Sequence, residues 1–329
     1  MPDKTRLLRY GVMGVWAVAA VIMIAYYSLW RYAAGEMESA VEDWVDDQRR
    51  AGFVVEHGSI ERDGFPFFLK VRIDAPIIEQ PDVFAWRADA LSLHALPYEL
   101  NRLIFSPAGA QFFTAKGVGA WTYSAGDIRA SIANDKKRGW VFSMNIEDAV
   151  ASDASGAEAR LASLVYDLAP AVDDPTTLTL NLIGEGFAFQ DDRRNVAIEK
   201  LENSLAVNRT DYLSGQEPAA RWRNAGGAVE VYGLNASINE AILSVHGTIK
   251  LDERLRPEGV LTTALEKPMG LADALAASGA LTREEADAAV AGLTLAAMAQ
   301  GGSIKAPIEL HAGVATIAGV KIAEIAPLR

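Results

Sequence analysis

The side chains that could do chemistry are few in this chain, and their spacing does not suit a catalytic or metal site. The four histidines are His57, His94, His246 and His311. None of them has a second histidine or an acid at a metal-ligand spacing such as H-x-x-x-H. His246 and His311 fall on the polar sides of alternating segments, where a solvated side chain is the ordinary role. His57 and His94 could meet across neighbouring strands, but nothing in the sequence requires it, so the histidines predict no metal site.

The acidic pairs and the glycine motifs give no stronger signal. Asp173–Asp174 and Asp191–Asp192 stand beside Pro175 and Arg193, which favours a role in turns over calcium binding or acid catalysis. Gly117–Gly119 lacks the third glycine and the helix of a dinucleotide-binding loop. Neither a nucleophile elbow nor a P-loop occurs. We therefore expect no enzymatic activity and no cofactor, with a hydrolase that uses dispersed acids as a remote alternative.

The composition and net charge of the chain exclude some classes of binding partner and of metal or catalytic site. The 329 residues include 31 Lys and Arg against 43 Asp and Glu, for a formal net charge of −12 at pH 7. Phosphate binding needs clustered basic residues, so this acidic chain predicts no nucleic-acid partner. The absence of cysteine excludes disulfides, thiolate zinc sites and cysteine nucleophiles.

An uncharged stretch near the N-terminus, residues 10–30, determines on which side of a membrane the rest of the chain would lie. Its 21 residues suffice to cross a bilayer as a helix, which needs about 20. Basic residues precede this stretch and acidic residues dominate the segment after it. The positive-inside rule therefore predicts a cytoplasmic N-terminus at 1–9, a transmembrane anchor at 10–30 and a non-cytoplasmic remainder.

A cleaved signal peptide is the alternative for this stretch. Its apolar run is normally about 7–15 residues and ends in small residues. Here the run is longer and ends in Tyr26, Tyr27 and Trp30, which favours an uncleaved anchor.

The segment that follows predicts an amphipathic collar helix at 31–51. Met37, Val41, Trp44 and Val45 fall on one helical face, with acidic residues on the other.

From residue 52 to 329 the pattern has a period of two, which indicates β-strands. In 66–74 apolar residues alternate with polar ones, and the same alternation recurs at 128–132, 140–146 and 178–182. A helical hairpin at about 268–300 interrupts it, with a capping box that starts at Thr282. We expect a mainly β (β-rich α+β) fold: one large curved antiparallel sheet forming a groove, a taco-like fold or an open barrel.

Some strands carry more apolar residues than one buried face requires. One interpretation is a solid core between sheet and helices; the other is a groove for acyl chains or another apolar ligand. The residues that we expect to line such a groove, or to belong to the core, are Phe67, Leu69, Phe84, Trp86, Leu91 and Leu93.

Several segments resemble an uncharacterised bacterial family of membrane-anchored proteins, DUF2125. They are Gly52–Val55, Gly64–Phe67, Ala85–Tyr98 and a tail that runs from Ala280 to Leu328. The chain is also similar, more loosely, to AsmA-like proteins, in which an inner-membrane helix precedes a periplasmic β-groove. That likeness implies a role in lipid traffic. The family has no established activity, so no functional residue is carried over.

The sequence thus favours a single-pass protein of the bacterial inner membrane with a periplasmic β-domain that binds or transfers a phospholipid or another apolar ligand. A structural or protein-interaction module tethered to the membrane without a ligand is the alternative.

Overall fold

A computed structural model describes residues 4–96, 99–279 and 282–328 of the chain. The fold is mainly β, with one N-terminal apolar helix and a large antiparallel sheet, which confirms the predicted fold class. The chain divides into two compact units, one ending at Gly117 and the other beginning at Val118. The sequence pattern had placed no boundary at this point. Pro97, Tyr98, Ala280 and Leu281, which belong to the segments that resemble the family, lie outside the described residues.

The first unit is a long helix packed on a small antiparallel sheet. Its elements are α1 (Lys4–Arg50), β1 (Val54–Glu56), β2 (Ile60–Asp63), β3 (Leu69–Asp74), β4 (Ile77–Gln80), β5 (Phe84–Leu96) and β6 (Glu99–Ala115). Strand β5 is central, since β3, β4 and β6 all pair with it. The helix continues without interruption from the apolar stretch through the collar segment.

The collar part of α1 supplies one side of the core of this unit. Val41 and Val45 pack against Val71, Ile73 and Leu93, whose alternation in β3 and β5 turns them toward the helix. The residues on the outer face of the collar stay exposed. Burial of these aliphatic side chains, about 1.5–3 kcal/mol for each one that is fully buried, is what fixes the helix to the sheet.

The second unit is a long antiparallel meander with two late helices. Its first strands are β7 (Gly119–Ser124), β8 (Asp127–Asp135), β9 (Gly139–Asp153), β10 (Glu158–Pro170), β11 (Leu178–Gln190) and β12 (Asn195–Val207). Then follow a 3₁₀ helix (Thr210–Leu213), α2 (Pro218–Asn224), β13 (Val229–Ile238), β14 (Ala241–Leu251) and β15 (Pro257–Glu266). The last elements are α3 (Pro268–Ala277), α4 (Arg283–Ala299), β16 (Ser303–Lys305), β17 (Ile308–His311), β18 (Val314–Ile317) and β19 (Val320–Glu324).

From β8 to β15 each strand pairs with the next one along the chain, and β17–β19 continue the sheet. Helices α3 and α4 pack against each other, and α4 begins with the predicted capping box. Their apolar sides share one buried cluster with β14–β18, centred on Leu265, Leu293 and Ile304, which are fully buried.

The sheet is curved at the start of the second unit. Strands β7, β9, β10 and β11 are successive neighbours, so β7 and β11 lie three strand spacings apart, about 14 Å along a flat sheet. The ring centroids of Trp121 on β7 and Phe189 on β11 are nevertheless only 6.4 Å apart. The two side chains meet above the intervening strands, which requires the sheet to bend toward them. The Arg194 guanidinium stacks on the Phe189 ring at 4.7 Å.

Candidate functional site

The residues expected from the sequence to line a groove lie in different surroundings. Leu93 is 5% exposed and Leu91 packs beside it, both under the collar part of α1. Leu69 is 4% exposed and belongs to a second cluster with Trp30, Ala34 and Ala95. Leu69 and Leu93 are therefore buried in the first unit, and Leu91 is partly buried beside them.

The three aromatic residues of that set, Phe67, Phe84 and Trp86, lie outside the buried clusters. The Phe84 ring lies 6.4 Å from the Phe53 ring, and the Trp86 indole N–H donates to Gln111 Oε1 at 3.3 Å. Phe67 is 72% exposed. That they line one groove with the leucines stays a prediction.

A different apolar surface is present in the second unit, on one face of β8–β12. Cross-strand register aligns its residues in three rows. One row is Ile128, Ile146, Leu164 and Leu201; the middle row is Ala130, Met144, Tyr166, Leu182 and Asn203; the third is Ile132, Phe142, Leu168, Leu180 and Leu205. We call these fourteen residues the apolar sheet face. The Phe142 and Tyr166 rings meet edge to face at 6.0 Å across two strands.

The opposite face of the same strands is polar and hydrogen-bonded. Ser204 Oγ donates to Asn181 Oδ1 at 2.8 Å, and Asn145 Nδ2 donates to Glu147 Oε1 at 3.1 Å. The Lys200 ammonium lies 2.7 Å from the Glu202 carboxylate. The sheet is therefore amphipathic: one face is polar and suited to water, and the other is the apolar sheet face.

The apolar sheet face is not packed into a core. Ile132 is exposed, and the other thirteen residues are only half-buried. Within the described part of the chain, none of the fourteen residues belongs to a buried cluster or packs against one. An antiparallel sheet in water normally buries its apolar face against another layer.

The same face is covered further along the sheet. The middle row continues through Leu234 and Val245 to Thr263. Here α3 lies against β12, β13 and β14, and Val245 belongs to the cluster shared with α3 and α4. The late helices thus close the apolar face over β13–β15, and no described helix lies on β8–β11.

Two polar atoms in the middle row are buried without a partner. Asn203 Oδ1 and Thr263 Oγ1 make no hydrogen bond within the described residues. An unsatisfied buried oxygen costs about 1–3 kcal/mol. Both atoms therefore have an unused capacity to accept a hydrogen bond beside an apolar surface.

The acidic pairs have structural roles in turns. Asp174 accepts hydrogen bonds from the hydroxyls of Thr177 and Thr176 and from the Thr176 amide, which hold its pKa below the ordinary value. The Arg194 side chain and the Arg193 amide do the same for the pKa of Asp191. Among the described residues, no group of three or more histidines and acids could hold a metal ion.

The chain was compared with protein families, with characterised proteins and with solved structures. Residues 30–326 match the model of a family described as "Uncharacterized protein conserved in bacteria (DUF2125)". The chain belongs to the DUF2125 family. No characterised protein and no solved structure matches. The DUF2125 match extends over parts of both compact units, and it includes the collar part of α1 and the whole apolar sheet face.

Proposed function

We propose that this DUF2125 protein is a membrane-anchored, non-enzymatic protein of the bacterial cell envelope that holds or passes a lipid acyl chain on its apolar sheet face. The observation that carries this proposal is the apolar surface on β8–β11, which no described helix covers and whose opposite face is mainly polar. A lipid is the occupant that best suits a protein whose first helix is itself apolar.

Helix α1 supports the membrane part of the proposal. From Val18 on it is long and apolar enough to cross a bilayer. Only 11% of its most apolar 18-residue segment is buried within the protein. Side chains such as Trp16, Val21 and Ile24 are 65–72% exposed. Exposed apolar surface of this extent is unfavourable in water and favourable in hydrocarbon. On the positive-inside rule, the charge asymmetry favours a cytoplasmic N-terminus and a periplasmic location for the chain that follows the span.

The dimensions of the apolar sheet face suit an acyl chain. Five strands span four spacings of about 4.8 Å, or about 19 Å. Half of a bilayer's hydrocarbon core of about 30 Å is about 15 Å deep, which is the depth that one acyl chain fills. A chain laid across the strands would therefore remain on the apolar residues along its whole length. The looser sequence resemblance to AsmA-like proteins would imply the same role.

A structural or protein-interaction module is the second candidate. This candidate is favoured because α3 and α4 cover the continuation of the apolar sheet face over β13–β15. A helix of another protein could cover β8–β11 in the same way. The two candidates differ in what is bound when the protein is isolated.

The test compares two substitutions at neighbouring positions of β11. Leu182 belongs to the apolar sheet face, whereas Ile183 is 47% exposed on the polar face. The full chain would be purified from cells in a mild detergent as wild type, Leu182→Asp and Ile183→Asp, and bound lipid quantified by mass spectrometry. Lipid that surrounds α1 is common to all three proteins.

The proposal predicts that Leu182→Asp loses lipid that wild type and Ile183→Asp retain. Leu182→Trp, which fills the surface without adding charge, should lose it too, and circular dichroism shows which variants are folded. Equal lipid content in all folded proteins would rule out acyl-chain binding on this face.

A further inference from the structure

A turn in the first unit lies against α1 where the apolar span ends. Its residues are Gly64–Phe68, which connect β2 to β3. The Tyr26 hydroxyl donates to the Pro66 carbonyl oxygen, and the Trp30 indole N–H donates to the Phe68 carbonyl oxygen at 2.7 Å. The turn is therefore held to the helix by two aromatic side chains that sit about 6 Å apart along the helix axis.

Aromatic packing adds to these hydrogen bonds. The Phe65 ring lies 5.2 Å from the Tyr27 ring and 5.4 Å from the Trp30 ring, in both cases edge to face. It lies 6.0 Å from the Tyr26 ring as well. Phe65 thus fixes the turn beside the last residues of the span.

The other aromatic side chains of the turn point outward. Phe67 is 72% exposed and Phe68 is 48% exposed. Phe65, although packed, is still 39% exposed. Three aromatic side chains within four residues would form an unfavourable apolar patch in water, and such a patch marks a contact with a partner or a membrane.

The position of the turn identifies the occupant. Tyr26, Tyr27 and Trp30 are the aromatic residues that end the apolar stretch, where aromatic side chains prefer the membrane–water interface. Just beyond them, at the level expected for headgroups, is an open cleft of about 450 Å³ that is lined by both basic and acidic side chains, among them Arg31, Arg62 and Glu36. The turn is fixed to the interfacial residues themselves, so its exposed rings lie at the same depth.

We infer that the Gly64–Phe68 turn inserts Phe67 and Phe68 into the outer part of the bilayer, as a second membrane contact beside α1. This contact holds the first unit against the membrane surface and prevents it from pivoting about the helix. The inference rests on α1 crossing a bilayer, as proposed above, and is independent of any ligand on the apolar sheet face.

The absence of native cysteine allows a direct test of depth. Single variants Phe67→Cys, Ile22→Cys and Val83→Cys would be labelled with the environment-sensitive fluorophore NBD in the full chain, reconstituted in phosphatidylcholine vesicles. Quenching by nitroxide-labelled lipids then reports depth. Val83 is 49% exposed in the turn between β4 and β5, and β4 pairs with β1 at the far end of α1. The helix from Trp30 to Arg50 is about 30 Å long, so Val83 is a control in water.

The inference predicts a blue-shifted, lipid-quenched probe at Phe67 and Ile22 and a water-exposed, unquenched probe at Val83. A water-exposed probe at Phe67 with a buried probe at Ile22 would overturn the inference and leave the anchor intact. Water-exposed probes at both positions would overturn the anchor and the inference together. Phe68→Cys provides a second position in the same turn, and a water-exposed probe there would also contradict insertion.

Discussion

Gly64 is the residue on which the shape of the Gly64–Phe68 turn depends. Its φ is +97°, and a Cβ added there would lie 2.7 Å from the Phe68 carbonyl oxygen. The amides of Phe67 and Phe68 both donate to the Gly64 carbonyl oxygen, at 3.0 and 2.8 Å. Glycine therefore satisfies both a conformational and a steric requirement at the start of the turn.

We predict that Gly64→Ala lowers the free energy of unfolding by about 1–3 kcal/mol, because strained φ and a backbone contact act together. Hydrogen exchange of the β2 and β3 amides should accelerate. Gly117→Ala is the control, since Gly117 has a φ of +83° but nothing within 4 Å of its added Cβ. An equal effect of both substitutions would mean that the contact with Phe68 contributes nothing.

Glu285 combines a helix cap with an ion pair. The Thr282 amide donates to its carboxylate at 2.9 Å, and the Lys321 ammonium does so at 3.0 Å. The Thr282 amide first, and Lys321 next, lower the pKa of Glu285 from the ordinary 4.5 to about 2. A carboxylate with a lowered pKa in the folded state stabilises the fold above its ordinary pKa, and this contribution is lost as pH falls from about 4.5 to about 2.

Glu285→Gln should therefore lower the thermal midpoint at pH 7, and the difference from wild type should shrink toward pH 2. Thermal denaturation followed by circular dichroism at pH 7, 4.5 and 2 measures it. Glu284→Gln, at an exposed position in the same first turn of α4, is the matched control. A difference that is constant over this pH range would contradict the electrostatic account.

At the scale of elements, α1 has two roles. Its N-terminal part is the proposed membrane span, and its C-terminal part packs on the sheet of the first unit. Ala34 is fully buried between the helix and the sheet, against Leu69 and Ala95. A larger side chain at this position would separate α1 from β3 and β5.

We predict that Ala34→Phe destabilises the first unit by about 1–3 kcal/mol, the usual cost of overpacking. Ala40→Phe, at an exposed position of the same helix, should be nearly neutral. Chemical denaturation of the two full-length variants in detergent compares them. A neutral Ala34→Phe would show that α1 is not packed on the sheet in solution.

Element type could be predicted from the sequence because each signal is local. The apolar stretch, the period-two strands, and the capping box at Thr282 all depend on neighbours within a few residues. The alternation at 128–132, 140–146 and 178–182 was visible too, and it contains most of the apolar sheet face.

The apolar sheet face could not be predicted in the same way. Whether a helix packs over a strand face depends on contacts between residues that are distant in sequence. Leu69 and Leu93 have the same pattern as Leu180 and Leu182, yet the first pair lies under α1 and the second pair does not. Only the register between strands and the positions of the helices decide which alternating face is closed. Phe67 was a candidate from the sequence, but the attachment of its turn to Tyr26 and Trp30 depends on contacts about forty positions apart in sequence.

For the whole molecule, we expect the chain that follows the span to lie on the periplasmic side of the membrane. A fusion of alkaline phosphatase after Arg329 should be active, since that enzyme folds only in an oxidising compartment. A fusion at residue 5, before the span, should be inactive. An inactive but well-expressed C-terminal fusion would contradict the predicted orientation.

The central claim is that the apolar sheet face holds a lipid, and photo-crosslinking in living cells tests it most directly. Tyr166→p-benzoylphenylalanine puts a photoreactive ring in the middle row, where the native ring already packs against Phe142. Tyr232→p-benzoylphenylalanine is the control, because Tyr232 is a 64% exposed residue of β13. After irradiation, mass spectrometry should find a lipid adduct at position 166 and none at 232. Adducts only to protein at position 166, or equal lipid labelling at both positions, would contradict the account.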